Sequence, residues 1–434
     1  EMEFNADKVA VSITGSNEII SGLWKAEFGS AVLNSTFNHA FNASQKNIFV
    51  ENIFAQFEKM IAENMEIFQS EFEKLPEDAN GVKRFFPTDS TLKTSTYSSH
   101  PLHFQREDSA KKPFIEGVTD SRSPWILFSE KEDLQSAVSK IVYKIYFKKT
   151  PKEFVSDAAF SEFINIERTG AELLEEFHHT FQDRFMTVPD ESWLTDASDE
   201  TPVPELSVLM DDLSELMKPV EEFNLLVAEI GKVADGSSKA GYVTYKKAKY
   251  YKSEINDVYK KVMRDRDKYF SEKFPEWDKL LCKRIYLNAA SAGKENEFLR
   301  LCRQHRNITQ LYQKFIGLRN YFYNQLDQLN AAGNVEESTL TTVSRTIRQV
   351  IQEINKDLAE FGAEDYVALP NIENVEELKK LVVENGSIKF MTTTLFEGKN
   401  VSKFSLLLEN AITQLQRIDQ KSVIAMLLFN RQLN

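Results

Sequence analysis

The stretch LSVLMDDLSELMKPVEEFNLLVAEI, residues 206–230, decides how the rest of the chain is read. Its apolar residues Leu206, Leu209, Met210, Leu213, Leu216, Met217, Val220, Phe223, Leu226, Val227 and Ile230 recur mostly at steps of three and four. That period gathers side chains on one face of an α-helix. Pro219 inside the run predicts a kink, because proline lacks the amide and crowds the preceding turn.

The same period extends outward in both directions. It predicts helices over 295–330 through Phe298, Leu301, Ile308, Leu311, Phe315 and Phe322, and over 338–361 through Val343, Ile347, Ile354 and Leu358. A short helix over 375–384 and a closing one from Ser402 follow. Toward the N-terminus it predicts helices over 19–43, from Ile48 to Leu75, and over 130–148 with Leu134, Val138, Ile141, Val142 and Ile145 inward. Two stretches read as extended instead: Val9, Val11 and Ile13 alternate within residues 1–22, and SIKFMTTTLF suggests a short strand or hairpin near 387–396. The expected fold class is therefore mainly α, an elongated multi-helix bundle of long amphipathic helices with minor β.

Between these helices, residues 76–125 are punctuated by Gly81, Pro87, Pro101, Pro113 and Gly117 and rich in Ser and Thr, which favours turns. An irregular excursion that wraps another surface is expected there. Residues 186–204, VPDESWLTDASDETPVP at their core, read as an acidic linker. The expected organisation is an N-terminal helical segment 1–75, the excursion 76–125, a helical segment 126–185 completing that half, the linker, and a helical bundle 205–434.

Composition fits a folded chain: 42% hydrophobic and 27% charged residues among 434, with a formal net charge of -13. The absence of any run of eighteen apolar residues argues against a transmembrane helix. Two cysteines, Cys282 and Cys302, make neither a disulfide framework nor a zinc site, which points to a soluble protein in a reducing compartment, cytoplasmic or within an assembled particle. Glu1 ahead of Met2 suggests a matured or trimmed start.

One region inverts the overall acidity. From Lys246 to Arg284 there are thirteen Lys or Arg against seven Asp or Glu, interleaved with tyrosines. Read as a helix that Phe274-Pro275 bends or restarts, it offers Lys246, Lys249, Lys260, Arg264 and Lys268 to an anionic surface. The plainer reading is a solvated face laced with pairs such as Asp257 with Lys261. Arg300, Arg303 and Arg306 could extend a positive stripe, but a sequence pI near 5.2 opposes general nucleic-acid affinity.

No cofactor, phosphate-loop, dinucleotide or hydrolase motif occurs. Glu175 with His178, and Glu176 with His179, form Glu-x-x-His steps of the kind found in di-iron bundles, making Glu175, His178 and His179 the metal candidates, though no second pair of steps exists. His100 and His103 have no nameable partners. The final run Val423–Phe429 is wholly apolar and is either docked or offered to another subunit. These features lead to a non-enzymatic helical structural or assembly protein working through protein–protein contacts in a homo- or hetero-oligomer, such as a component of a viral particle or other large complex. The alternative is an anionic-membrane binder of curvature-sensing or pore-forming type, using residues 239–284.

Overall fold

A computed structural model describes residues 2–64, 85–86, 101–117, 122–196, 202–235, 238, 240–332, 337–390 and 392–433. The fold is mainly α, with a single two-stranded sheet among the described residues. The helices are α1 (Met2–Thr14), α2 (Ser16–Gln45), α3 (Ile53–Glu63), α4 (His103–Ala110), α5 (Lys131–Ile145), α6 (Asp157–Glu167), α7 (Ala171–Glu176) and α8 (Glu191–Thr195). After them come α9 (Leu206–Asp235), α10 (Ile255–Ser291), α11 (Glu295–Ala332), α12 (Glu337–Glu360), α13 (Val375–Val382) and α14 (Asn400–Leu433). The hairpin of β1 (Tyr242–Tyr245) and β2 (Ala248–Tyr251) separates α9 from α10. The chain forms two compact units, one of residues 1–164 and 222–264, the other of 165–221 and 265–434.

In the first unit, α1 takes the place of the expected strand. Only Val11 of the alternating trio is buried; Val9 and Ile13 face solvent. What fixes α1 is polar: the buried carboxylate of Asp7 accepts two hydrogen bonds from Arg106 on α4, at 2.6 and 2.8 Å. Beyond its end, Gly15 adopts φ 97° and lies so close to Gly117 that a Cβ built on Gly15 would sit 2.3 Å from the Gly117 Cα. Ser16 continues this seam, donating to the Ala110 carbonyl at 2.6 Å and accepting from the Ile115 amide at 2.9 Å. Of the 76–125 excursion, residues 76–84, 87–100 and 118–121 lie outside the described residues. The remainder includes α4 and a 3-10 turn, Pro124–Leu127.

Helix α5 forms where expected, but turned. Gln135, Ser139, Val142 and Tyr143 are buried, whereas Leu134, Ile141 and Ile145 are exposed. The cause is the N-terminus of α3, whose first amides need acceptors. Asn52 caps it through Ala55 N at 3.0 Å, the Asn52 side chain donates to Gln135 at 2.9 Å, and Ser139 Oγ accepts from Ile53 N at 2.9 Å. Tyr143 OH contacts both polar atoms of Val50 at 3.1 Å, and burial pushes its phenol up to about 12. Gln135, Ser139 and Tyr143 thus point inward at four-residue steps beside Val142, while Leu134, Ile141 and Ile145 point out.

The second unit holds two apolar clusters joined along α14. One packs α12 and α13 with the later part of α11 and with Phe404, Leu408, Leu415 and Ile418 of α14. The other packs the start of α9 and the later part of α10 with Val423, Met426, Leu427 and Phe429. The terminal apolar run is therefore core and cannot serve as an exposed subunit contact. Pro219 and Pro275 both lie inside continuous helices, so Pro275 does not restart α10. Phe274 and Trp277 beside it are buried, and the Trp277 indole donates to the Leu209 carbonyl at 2.7 Å.

The hairpin expected near 387–396 is absent from the described residues there. Asn355 accepts from the Ile388 amide at 2.7 Å and donates to its carbonyl at 3.0 Å, taking both groups that a strand partner would use. A 3-10 turn, Thr392–Thr394, follows.

Arg184 and Asp278 make the tightest buried ion pair in this unit, with bonds of 2.6 and 2.8 Å and a further bond from Thr187 N to the same carboxylate at 2.8 Å. Leaving one charge of such a pair behind is costly. Arg184→Ala should destabilise the chain by about 3–5 kcal/mol, read as a lower urea midpoint, while an alanine at exposed Lys218 leaves the midpoint in place.

Candidate functional site

The residues that the sequence singled out are dispersed. Lys246 and Lys249 lie on the hairpin, not on a helix, because Tyr242 and Val243 pair with Tyr251 and Tyr250 before α10 begins. Lys246 and Lys247 form its turn with φ of 48° and 67°, a left-handed conformation that Asn and Gly adopt more readily. Lys249 stands over the Tyr242 ring at 4.2 Å, and Lys261 over Tyr250 at 4.9 Å rather than pairing with Asp257. Lys260 and Arg264 are on α10 within the same unit. Lys268 belongs to the second unit, where it makes an exposed pair with Glu272 at 3.6 Å.

The metal candidates do not share a helical face. Helix α7 ends at Glu176, and His178 and His179 adopt φ of 51° and 54°. His178 contacts Ser214 at 3.1 Å, His179 contacts Gln182 at 3.1 Å, and Glu176 pairs with Arg431. Among the described residues no cluster of three or more His, Cys, Asp or Glu could hold a metal ion. His100 lies outside the described residues, and His103 sits 3.5 Å from Glu27.

The arginine stripe of α11 points at loops. Arg300 donates to the carbonyls of Glu364 and Tyr366, Arg303 pairs with Glu191 and Asp365, and Arg306 donates to the Pro189 carbonyl at 2.5 Å. Lys283 and Arg284 of α10 do likewise, Lys283 donating to the carbonyls of Trp193, Leu194 and Asp196 at the end of α8. Cys282 and Cys302 are buried free thiols; burial raises both, Cys302 to about 12.

The chemically richest group in the second unit was not visible as a motif. His305 on α11 and Asp419 and Ser422 on α14 are buried together with Thr309. Ser422 Oγ lies 2.5 Å from His305 Nδ1 and donates to the Asp419 carbonyl at 2.8 Å. Thr309 Oγ1 lies 3.3 Å from His305 Nε2 and donates to Asp419 Oδ1 at 2.9 Å. Ser, His and Asp are the residues of a hydrolytic triad, but a triad places serine and carboxylate on opposite ring nitrogens. Here both stand on the Nδ1 side, the carboxylate at 3.9 Å.

Each ring nitrogen of His305 thus faces a hydroxyl, and which of the two donates follows from the ring tautomer.

Asp419 also lines a cavity of about 240 Å³, with Phe181, Phe185, Tyr312 and Ile316 among its walls. Burial holds the Asp419 carboxyl above its usual range, against the pull of His305 and the Thr309 bond. Nearby Glu167 goes the other way: burial opposes its charge, but Arg417 and Lys421, at 2.6 and 2.7 Å, outweigh that and hold it low.

Comparison with known proteins finds no matching family model, no matching curated protein and no matching solved structure.

The two carboxylates should bend the pH–stability profile in opposite senses. A raised carboxyl contributes stability below its unfolded value and loses it as pH rises, so the advantage of Asp419→Asn over the parent should grow from acid toward neutral pH. A depressed one contributes above its unfolded value and loses it in acid. Glu167→Gln should therefore cost most at neutral pH and progressively less as pH falls through the carboxylate range, both read from denaturant midpoints across pH 4–8 (about four points suffice to fix the sign).

Proposed function

We propose that this chain is a helical assembly protein that acts through protein–protein contacts, and that the outward face of α5 is where it docks. The observation that carries this reading is the inversion of α5. Leu134, Ile141 and Ile145 stand on one side of the helix at steps of seven and four, 40%, 50% and 53% exposed, with Tyr146 just beyond. The 3-10 turn leading into the helix adds exposed Ile126, Leu127 and Phe128. Large apolar side chains gathered on an exposed helix face are a recurrent mark of a partner surface. A homo- or hetero-oligomer, as in a viral particle or another large complex, is the setting that such a face suits.

The reading is tested on a second copy of the chain. Ile141→Glu with Ile145→Glu should return an oligomer to the mass of one 50.0 kDa chain in light scattering while leaving far-UV dichroism unchanged, since neither side chain is in a core cluster. An unaltered oligomer, or a parent that stays monomeric at every concentration, would sink self-assembly through α5.

A second reading rests on the hairpin. Its turn holds Lys246 and Lys247 in a conformation that lysine adopts at some cost, and exposed Tyr251 sits at its base. A basic, aromatic tip suits an anionic membrane surface, and no described helix is long and apolar enough to cross a membrane. Full-length protein should co-sediment with vesicles containing phosphatidylserine but not with neutral ones, and Lys246→Glu with Lys249→Glu should abolish that at low salt. Equal sedimentation with both vesicle types would remove the hairpin from consideration.

A further inference from the structure

The cavity beside α14 combines features that select for charge. Asp419 is 4% exposed, and its Oδ1 is taken by Thr309. Its Oδ2 has no hydrogen-bond partner among the described residues, although the carboxylate lies in the cavity wall. An unpartnered carboxylate oxygen on a residue that lines a cavity is open to a donor carried by a ligand. The Tyr312 hydroxyl and the Gln420 amide, also at the cavity, have no protein partner among the described residues either.

The one cation in the wall is already committed. Arg184 donates through Nη1 and Nη2 to Asp278 and through Nε to Thr180 at 3.2 Å, and lies against the Phe274 ring at 4.3 Å. It has little left for an anion. The other charged wall residues, Asp183 and Asp419, are acids, and Asp183 meets Arg266 only at 3.7 Å. Anionic ligands are therefore disfavoured. Phe185 and Tyr312 meet edge to face at 5.0 Å and, with Phe181, supply aromatic surface that attracts cations. A volume of about 240 Å³ is below that of a pocket for a drug-sized molecule, so the occupant is small.

We infer that this cavity binds a small primary amine, its ammonium donating to Oδ2 of Asp419 and its apolar body lying against Phe181, Phe185 and Ile316. An ammonium has three N–H donors and no acceptor. Asp419, Tyr312 and Gln420 all line this one space, and each carries an oxygen able to accept. The inference is independent of the assembly reading, since the cavity lies in the other unit from α5.

Isothermal titration calorimetry on the full chain tests it with three isosteric probes: phenethylamine, neutral phenethyl alcohol and anionic phenylacetate. Phenethylamine should bind saturably, the alcohol at least tenfold more weakly, and phenylacetate not at all. Asp419→Asn keeps the Thr309 acceptor and should weaken the amine at least tenfold with unchanged far-UV dichroism. Ile316→Trp, which fills the cavity from α11 without touching the carboxylate, should block it as well. The inference is overturned if amine and alcohol bind alike, if the amine does not bind the parent, or if both variants bind as the parent does.

Discussion

Helix α14 has water on almost no side between Ala411 and Asn430, where only Thr413 and Gln416 are exposed. A helix so largely buried cannot leave its inward polar side chains to solvent, so those it buries dictate their neighbours. Lys421 reaches Glu167 and the Pro370 carbonyl; Arg417 reaches the same glutamate. Ser422 and Asp419 close on His305 and Thr309. The end of α6, the loop at Pro370 and the middle of α11 are held to α14 by these demands as much as by the apolar clusters around them.

Two buried carboxylates of this unit meet opposite fates, and the reason is the number of cations each faces. Glu167 receives two, and their attraction exceeds the penalty of leaving water. Asp419 faces one imidazole at 3.9 Å and a hydroxyl, and the penalty prevails. The basic residues elsewhere follow a similar economy of partners: Lys283, Arg284, Arg300 and Arg306 satisfy backbone carbonyls of the segments that cross α10 and α11. Part of the positive charge that stood out in the sequence, at the end of α10 and along α11, is thus structural.

The long helices were legible because each buries one stripe, and the stripe is written at helical period; α12, with Val343, Ile347, Ile351, Ile354 and Leu358 inward, shows this most plainly. Where polar groups take the inner face the pattern misleads. Periodicity puts Val138 and Val142 of α5 inward, as they lie, but Leu134, Ile141 and Ile145 with them, since nothing local says that Ser139 must serve the Ile53 amide and Gln135 the Asn52 side chain. The alternation at Val9 to Ile13 is similarly empty, because α1 is positioned through Asp7 and a distant arginine. The cavity cluster joins residues more than a hundred positions apart, which no motif spans. Its traces are still there: His305 and Thr309 interrupt an apolar stripe one turn apart, and Asp419 and Ser422 sit between Ile418 and Val423 in an otherwise oily helix.

The meeting of Gly15 and Gly117 carries a consequence for how this sequence can change. A Cβ on Gly117 would fall 1.9 Å from the Thr14 carbonyl oxygen, and one on Gly15 would strike the backbone of residue 117. Neither position can acquire a side chain first, because the other strand of the crossing is main chain and has no rotamer with which to yield. Drift at either site is barred until the two segments part, so this small crossing makes substitutions at positions a hundred residues apart depend on one another.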